Sequence, residues 1–354
     1  MVDLTQRSID IILQNQASTG AYLASPNFPN YRYCWFRDGS FTAYAMGLIG
    51  EHSSAAHFHE WAANVINDRS DVVYRAIKRI KTNEPLSDDD YLHTRYTIEG
   101  NDVMPNEWPE FQLDGFGTWL WSLGGHFSLT QKPLPETWTH AAGLVADYLT
   151  ALWQHPCYDC WEENPDKVHL YTLAAIYGGL KAHSRFAYMN NKATMQSIEA
   201  FVKKFRTAKG YFVKFIGSDM IDASLLGLAT PYRIVQPDDP SMQMRISHLE
   251  QSLIRGGGVH RYPTDSYYGG GEWVLLTGWL GWYYADVGKY DRAKRMLEWM
   301  EMQADANGYL PEQVATNLNC PSNYETWVKR WGQIARPLLW SHAMYLILHH
   351  FLSL

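Results

Sequence analysis

The chain of 354 residues lacks several features that define whole classes of protein. Its four cysteines are too few for a disulfide framework at this length. No apolar run approaches the length of a membrane span, which is about 18 residues. Residues 1–8 lack the basic segment followed by an apolar run that marks a secretory signal. The formal net charge of −7 gives no electrostatic reason for a nucleic-acid partner. These absences predict a cytoplasmic protein with neither a membrane nor a nucleic acid as partner.

The cysteine spacing gives no support for a metal or redox site. Cys157 and Cys160 form a C-x-x-C pair, but a zinc site needs a second ligand pair, and Cys34 and Cys320 are isolated. A thioredoxin-like pair needs a strand before it, whereas this pair follows a predicted helix. The chain also has no calcium-binding D-x-D-x-D-G run. We therefore predict no metal and no cofactor.

Aromatic residues, in contrast, are abundant. The chain has 15 Trp and 23 Tyr, several of them beside glycines and acidic residues outside the predicted helical cores. Indole and phenol rings stack on the C–H faces of sugars while their N–H and O–H groups bind hydroxyls. Large cores use aromatic residues as well, so composition alone gives carbohydrate only a slight preference.

The hydrophobic pattern predicts about a dozen helices and almost no sheet. Residues 210–215 alternate enough for a short hairpin strand, and residue 221 starts a further helical run. The predicted helices cover residues 3–16, 41–48, 55–66, 72–80, 116–123, 137–153, 169–186, 192–205, 242–254, 272–287, 290–304 and 337–352.

Acidic residues recur where a loop leads into a helical stretch, at intervals of 43 to 76 residues. Each interval suits one helix out and one helix back. Six such junctions returning to one end describe an all-α fold, an (α/α)6 barrel. An open solenoid of hairpins is the alternative, although it favours more uniform repeats. The junction residues are Asp38, Asp114, Glu162, Asp222, Asp265 and Glu312.

Each junction residue has a simple structural interpretation as well. Asp38 or Ser40 can cap the helix at 41–48, and Asp114 can cap the helix at 116–123. Glu162 and Glu163 can be a solvated pair on a first helical turn. However, neighbouring carboxylates do not both ionise freely, so one can keep its proton and act as an acid. This acid and Glu312 would together supply the two carboxyls that glycosidic cleavage needs.

Six motifs in order are similar to glycoside hydrolase family 15, the glucoamylase family, over nearly the whole chain. The motifs are Trp35-x-Arg37-Asp38, Trp108-Pro109-Glu110-Phe111-Gln112-Leu113-Asp114-Gly115, Asp159-x-Trp161-Glu162-Glu163, Arg261-Tyr262-x-x-Asp265-x-Tyr267-Tyr268-Gly269-Gly270-x-x-Trp273, Pro311-Glu312-Gln313 and Pro337-Leu338-x-Trp340-Ser341-His342. The resemblance implies an inverting, exo-acting enzyme with an (α/α)6 catalytic domain.

The resemblance also implies a role for each site residue. Glu162 would be the general acid and Glu312 the general base that activates water. Arg37 and Asp38 would hold the hydroxyls of the terminal glucose. The remaining substrate-binding residues would be Trp35, Trp108, Gln112, Trp161, Glu163, Arg261 and Trp340.

The chain is compact for this family, which bears on its substrate. Residues 1–354 are expected to form a single catalytic domain, with no N-terminal β-sandwich and no starch-binding domain. We expect release of β-D-glucose from small α-gluco-oligosaccharides such as isomaltose or malto-oligosaccharides. A trehalase of the same family and a catalytically silent sugar-binding barrel are the alternatives. The sequence predicts no oligomeric state.

Overall fold

The computed structural model describes residues 3–104, 108–187, 191–207 and 210–354. The α-helices within these residues are α1 (Leu4–Gln14), α2 (Phe36–Leu48), α3 (His52–Asn67), α4 (Ser70–Thr82), α5 (Asp114–Thr130), α6 (Glu136–Leu152), α7 (Leu170–Phe186), α8 (Lys192–Val202), α9 (Pro240–Leu253), α10 (Val274–Asp286), α11 (Tyr290–Met302), α12 (Tyr324–Trp331) and α13 (Leu339–Leu352).

Strands are few and short. Within the described residues, β1 (Cys34–Trp35) pairs antiparallel with β2 (Arg95–Tyr96), and β3 (Glu272–Trp273) pairs antiparallel with β4 (Gln313–Val314). Each strand has only two residues, too few for an alternating pattern to be detected in sequence.

The chain divides into two compact units, and each has its own core. Unit I comprises Met1–Asn15, Leu23–Tyr33 and Arg206–Leu354, and unit II comprises Gln16–Tyr22 and Cys34–Phe205.

In unit II, α5 and α7 pack closely because glycines face each other at the contact. A methyl group added to Gly117 would lie 2.5 Å from the carbonyl carbon of Ala175, and one added to Gly179 would lie 2.4 Å from the Gly117 oxygen. Helix α7 buries thirteen of its seventeen residues, whereas its successor α8 buries only Ile198 and Val202. The pair is thus a hairpin of one enclosed and one surface helix.

Unit I repeats this arrangement with α10 and α11. Eleven of the thirteen residues of α10 are buried, including Trp279 and Trp282, so this helix is apolar on every side. Helix α11 buries one face through Ala293, Met296, Trp299 and Met300. The alternation of enclosed and amphipathic helices is the hairpin pattern that the sequence predicts.

Several local predictions are wrong. Helix α2 begins at Phe36, so Asp38 lies in its first turn and Ser40 in its second, and neither caps the helix. Residues 210–215 form no strand; Phe212 makes one bridge to Arg206. The helical run expected from residue 221 is only a short 3-10 helix, Ala223–Leu228, capped by Asp222. Residues 105–107 lie outside the described residues.

Candidate active site

Glu162 lies on a tight turn that its neighbour Asp159 holds together. The Asp159 Oδ1 atom accepts hydrogen bonds from the backbone N–H groups of Trp161 (2.9 Å) and Glu163 (2.8 Å). The Glu162 backbone is left-handed, with φ of 68°, a conformation that costs energy for a residue other than glycine. Trp161 is 8 % exposed and Glu163 is partly buried. The turn therefore fixes where the Glu162 side chain points.

Two N–H donors converge on one oxygen of Glu162. Trp35 Nε1 donates to Glu162 Oε1 over 3.1 Å, and Gln112 Nε2 donates to the same atom over 3.4 Å. A proton on an oxygen that already accepts two hydrogen bonds would face both donors, so that oxygen stays unprotonated. The proton of a neutral Glu162 carboxyl therefore belongs on Oε2, the oxygen available to a reacting group.

Arg37 links this carboxyl to two further acids at the starts of α2 and α5. Its Nη1 donates to Gln112 Oε1 (2.9 Å) and to Asp114 Oδ2 (3.3 Å), and its Nε lies 3.4 Å from Asp38 Oδ1. Burial, opposed by Arg37 and aided by the charges of Glu162 and Asp114, raises the pKa of Asp38 to about 6. Gln112 thus bridges the Arg37 guanidinium and the Glu162 carboxyl, and the structure brings these predicted residues together.

Trp108 stacks against Arg95, a cation that was not among the predicted site residues. The Arg95 guanidinium carbon lies 4.2 Å from the Trp108 ring centroid and 5.3 Å from that of Trp35. Arg95 Nε donates to Glu110 Oε1 over 2.8 Å, and both side chains are almost fully buried. The pairing of β1 with β2, which places Arg95 opposite Trp35, is the signal that sequence reasoning missed.

In unit I, Glu312 is 4 % exposed and lies immediately before β4. Tyr31 donates its hydroxyl proton to Glu312 Oε1 over 3.1 Å, and the Tyr31 and Tyr267 hydroxyl oxygens are 2.9 Å apart. A hydroxyl has one proton, so Tyr267 must donate to Tyr31 while Tyr31 donates to Glu312. Burial, and after it the Glu312 charge, raises the pKa of Tyr267 well above its usual range. Tyr31 was not among the predicted site residues.

Arg261 is held rigidly by its predicted neighbour. Its Nε and Nη2 atoms donate to the two oxygens of Asp265 over 2.8 and 2.5 Å, and Asp265 is fully buried. The guanidinium also lies over the Trp273 ring, 4.9 Å from its centroid. Asp265 Oδ1 accepts the Tyr267 backbone N–H over 3.0 Å. The same carboxylate therefore orients both Arg261 and the tyrosine that pairs with Tyr31.

The last motif supports the loop that carries Glu312. Trp340, in the first turn of α13, is 4 % exposed and packs on Trp279 at 6.1 Å. Ser341 Oγ donates to the Pro311 carbonyl (2.8 Å), and His342 Nε2 accepts the Leu310 backbone N–H (3.1 Å). Two neighbours of Trp340 thus fix the two residues before Glu312.

Asp222 has a structural role. It caps the 3-10 helix through the Ser224 backbone N–H (2.8 Å) and pairs with the buried Lys214 ammonium over 2.9 Å.

The part of the chain that the structure describes contains no group of side chains suited to bind a metal ion. No three His, Cys, Asp or Glu side chains there could jointly hold an ion. Cys157 and Cys160 are buried and form no disulfide, and burial raises the pKa of Cys157 to about 12, which disfavours the thiolate that binds metals. Among the described helices, none combines the length and apolar character needed to cross a membrane.

Comparison with known proteins now adds a decisive observation. The model of the family "Glycosyl hydrolases family 15" matches residues 2–301. The chain belongs to glycoside hydrolase family 15. It is also 41% identical over 354 residues to an isomaltose glucohydrolase of Kribbella flavida, an alignment that covers 98% of this chain and 91% of that protein. The predicted family and the predicted glycoside hydrolase activity are confirmed.

Solved structures of similar fold agree. A glycosidase in complex with glucose superposes with a TM-score of 0.94 at 40% identity, covering 99% of this chain and 96% of that one. A bacterial glucoamylase complexed with acarbose has a TM-score of 0.76 at 20% identity, covering 98% of this chain and 55% of that one. The all-α, (α/α)6-barrel fold class predicted from the junction residues is confirmed.

Proposed function

We propose that this family 15 member is an exo-acting, inverting α-glucoside hydrolase that releases β-D-glucose from the non-reducing end of small α-gluco-oligosaccharides, isomaltose foremost. The observation that carries the proposal is the 41% identity to an isomaltose glucohydrolase of nearly the same length. Burial of the polar groups around Glu162 and Glu312 supports it, because sites built for catalysis are shielded from water.

In the proposed mechanism Glu162 is the general acid. Its Oε1 is held by Trp35 and Gln112, so Oε2 delivers the proton to the leaving glycosidic oxygen. A second hydrogen bond from Gln112 Nε2 to the Pro109 carbonyl, over 2.8 Å, keeps the amide from rotating.

Glu312 is the proposed general base. Its Oε1 accepts the Tyr31 hydroxyl, which leaves Oε2 to take a proton from the attacking water. The tyrosine hydrogen bond stabilises the ionised carboxylate, the form that a base needs before it acts. Attack by this water on an α-glucoside with inversion gives β-glucose.

The other predicted residues are proposed to bind the sugar. Arg37 and Asp38 present a cation and a carboxylate to the terminal glucose, and Arg261 a cation near the bond that breaks. Glu163 and the indoles of Trp35, Trp108, Trp161 and Trp340 complete the set, and sugar stacking suits indoles that are mostly but not wholly buried.

A trehalase is the second candidate. A trehalase of Mycolicibacterium smegmatis is 24% identical over 315 residues, but this chain covers only 46% of it. The shorter shared region and lower identity favour the glucohydrolase.

The deciding experiment is a proton NMR time course of the purified protein with isomaltose, maltose and trehalose. β-Glucose appearing first from isomaltose supports the proposal, and α-glucose appearing first overturns the inverting mechanism. Cleavage of trehalose alone supports the second candidate. If no substrate is cleaved although glucose binds by calorimetry, the barrel is a silent sugar-binding protein. The single domain at 1–354 and the cytoplasmic location stay predictions.

A further inference from the structure

Arg95 and Glu110 form a buried ion pair to which the proposed mechanism gives no role. Their exposed fractions are 5% and 1%, and the pair is closed by the 2.8 Å bond from Arg95 Nε to Glu110 Oε1. Placing two charges in a protein interior costs several kcal/mol of desolvation, so such a pair is weak evidence of a contribution to stability. Its surroundings suggest a different use.

The pair is built into the contact between two indoles. Cross-strand pairing of β1 and β2 sets Arg95 directly opposite Trp35, and the guanidinium carbon lies within 5.3 Å of the Trp35 ring and 4.2 Å of the Trp108 ring. The two rings are 5.9 Å apart with an angle of 72° between their planes. A flat guanidinium packs on indole faces in a way that an ammonium does not.

Glu110 fixes the plane of that guanidinium. Its Oε1 accepts Arg95 Nε, its Oε2 accepts the Arg95 backbone N–H over 3.4 Å, and its backbone oxygen accepts the N–H groups of Thr94 and Gln112, both over 3.0 Å. One residue therefore ties together β2 and the segment that carries Gln112, the second donor to Glu162.

We propose that Arg95 and Glu110 are positioning residues for the general acid, acting through Trp35 so that the indole N–H stays directed at Glu162 Oε1. This rests on the role proposed above for Glu162. If the indole turns, Oε1 loses its shorter donor, and the acidic proton no longer has a defined oxygen. Small misplacements of a catalytic group are costly in rate.

The electrostatics agree with this geometry. Burial raises the pKa of Glu110 to about 7; Arg95 opposes the shift, and the neighbouring Glu162 adds to it. The Glu110 and Glu162 carboxyls therefore sense each other's charge within unit II. The Arg95 guanidinium places a compensating positive charge beside Glu110.

The test compares two substrates that differ in their need for an acid. Hydrolysis of isomaltose requires protonation of an alcohol leaving group, whereas fluoride leaves α-D-glucosyl fluoride with little proton assistance. Arg95→Lys keeps the charge beside Glu110 but removes the flat stacking surface. We expect kcat/KM for isomaltose to fall roughly 10- to 100-fold, and kcat/KM for the fluoride to change by less than about threefold.

Arg69→Lys is a matched control. The Arg69 guanidinium also stacks on an aromatic ring, 4.5 Å from the Tyr96 centroid, and pairs with a carboxylate, Asp102, at 3.0 Å. No hydrogen bond joins it to Trp35 or Glu162 in the described hydrogen-bond network. The control is expected to leave the isomaltose-to-fluoride ratio unchanged.

An equal loss on both substrates, or none on either, overturns the inference while leaving the proposed function intact. A wild-type protein that cleaves neither substrate overturns the proposed function instead. If circular dichroism shows that Arg95→Lys is unfolded, Glu110→Gln decides on the same criterion, since the amide oxygen still accepts the Arg95 Nε–H but no longer carries the charge that pairs with the guanidinium. A selective loss on isomaltose of about three- to tenfold is then expected.

Discussion

The hydroxyl of Tyr31 donates to Glu312 Oε1 over 3.1 Å, although the two residues are 281 positions apart in the chain. Both belong to unit I, and Tyr267 completes the relay with its own hydroxyl 2.9 Å from that of Tyr31. The contact fixes the orientation of the proposed base.

Replacing Tyr31 by Phe removes this donor and leaves the ring packing. We expect kcat for isomaltose to fall about 100-fold with little change in KM, because the hydrogen bond orients the carboxylate that activates water, and a misplaced catalytic group costs rate. Steady-state kinetics measure the split. Tyr324→Phe is the control, because the Tyr324 hydroxyl donates to Gln333 Oε1 (3.3 Å) and bonds neither Tyr31 nor Glu312 within the described hydrogen-bond network. A rise in KM with unchanged kcat would place Tyr31 in substrate binding.

Glu162→Gln tests the acid. The amide keeps the shape and the oxygen that accepts from Trp35 and Gln112, but it has no proton to give. Turnover of isomaltose should fall at least about 100-fold, while α-D-glucosyl fluoride retains far more of its rate. Equal losses on both substrates would argue against the acid role, and thermal unfolding checks that the fold is intact.

Glu312→Gln should give the opposite selectivity. Without a base, the attacking water is not activated whatever the leaving group, so both isomaltose and the fluoride should lose at least about 100-fold in kcat. Glucose binding, measured by calorimetry, should persist because the carboxamide still accepts the Tyr31 hydroxyl. A variant that still hydrolyses the fluoride at the wild-type rate rules out this assignment.

The helices and the ordered motifs were predictable because both depend on local pattern. The missing residues depend on distant contacts. Tyr31 ends a 3-10 helix, Pro29–Tyr31, that is too short to show periodicity, and its partner Tyr267 is 236 positions away. Arg95 belongs to a two-residue strand whose register alone connects it with Trp35.

The errors in element boundaries have a similar origin. Helix α2 starts at Phe36 without a side-chain cap, so the usual signal for a helix start is absent. Residues 210–215 form no strand because Phe212, Val213 and Lys214 are buried in succession rather than alternately, and the Phe212 carbonyl is taken by the Arg245 side chain instead of a strand.

Asp38 should make sugar binding depend on pH. Its pKa of about 6 is raised first by burial, so the carboxyl gains a proton as pH falls through 6. The protonated carboxyl then accepts fewer hydrogen bonds from the hydroxyls of the proposed terminal glucose. KM for isomaltose should therefore rise below pH 6 in the wild type. Asp38→Asn should have a high KM that does not change with pH. Steady-state kinetics over pH 5–8, with isomaltose and with α-D-glucosyl fluoride as substrates, measure the difference.

The same shift predicts an effect on stability. The folded protein prefers the protonated Asp38 between the ordinary pKa of 3.8 and the raised value, so the cost of ionisation is absent at low pH and complete above 6. Asp38→Asn should then unfold at an equal or higher temperature than the wild type at pH 7 while binding sugar less well. A clear fall in its unfolding temperature would mean that the Arg37 contact outweighs burial.

His342 should make unit I sensitive to acid. Its ring joins the Leu310 backbone N–H at Nε2 (3.1 Å) and Ser8 Oγ at Nδ1 (2.9 Å), an arrangement that requires the neutral ring, with Nδ1 donating. Burial, aided by Arg7, lowers the pKa of His342 to about 3. The unfolded chain binds a proton at the ordinary value of about 6.5, so stability is complete above that pH and falls progressively as the pH drops toward 3.

At pH 5 this single group should cost about 2 kcal/mol of unfolding free energy relative to pH 8. His342→Gln keeps an oxygen to accept the Leu310 N–H but does not titrate, so its stability should fall less between pH 8 and pH 5 even if it starts lower. Urea unfolding at the two pH values measures the difference. His140→Gln is the control, because that exposed ring bonds Asn67 at the surface. If both variants lose as much stability as the wild type, protonation of His342 does not drive acid unfolding, and the loop that carries Glu312 is held by the Ser341 contact with Pro311 instead.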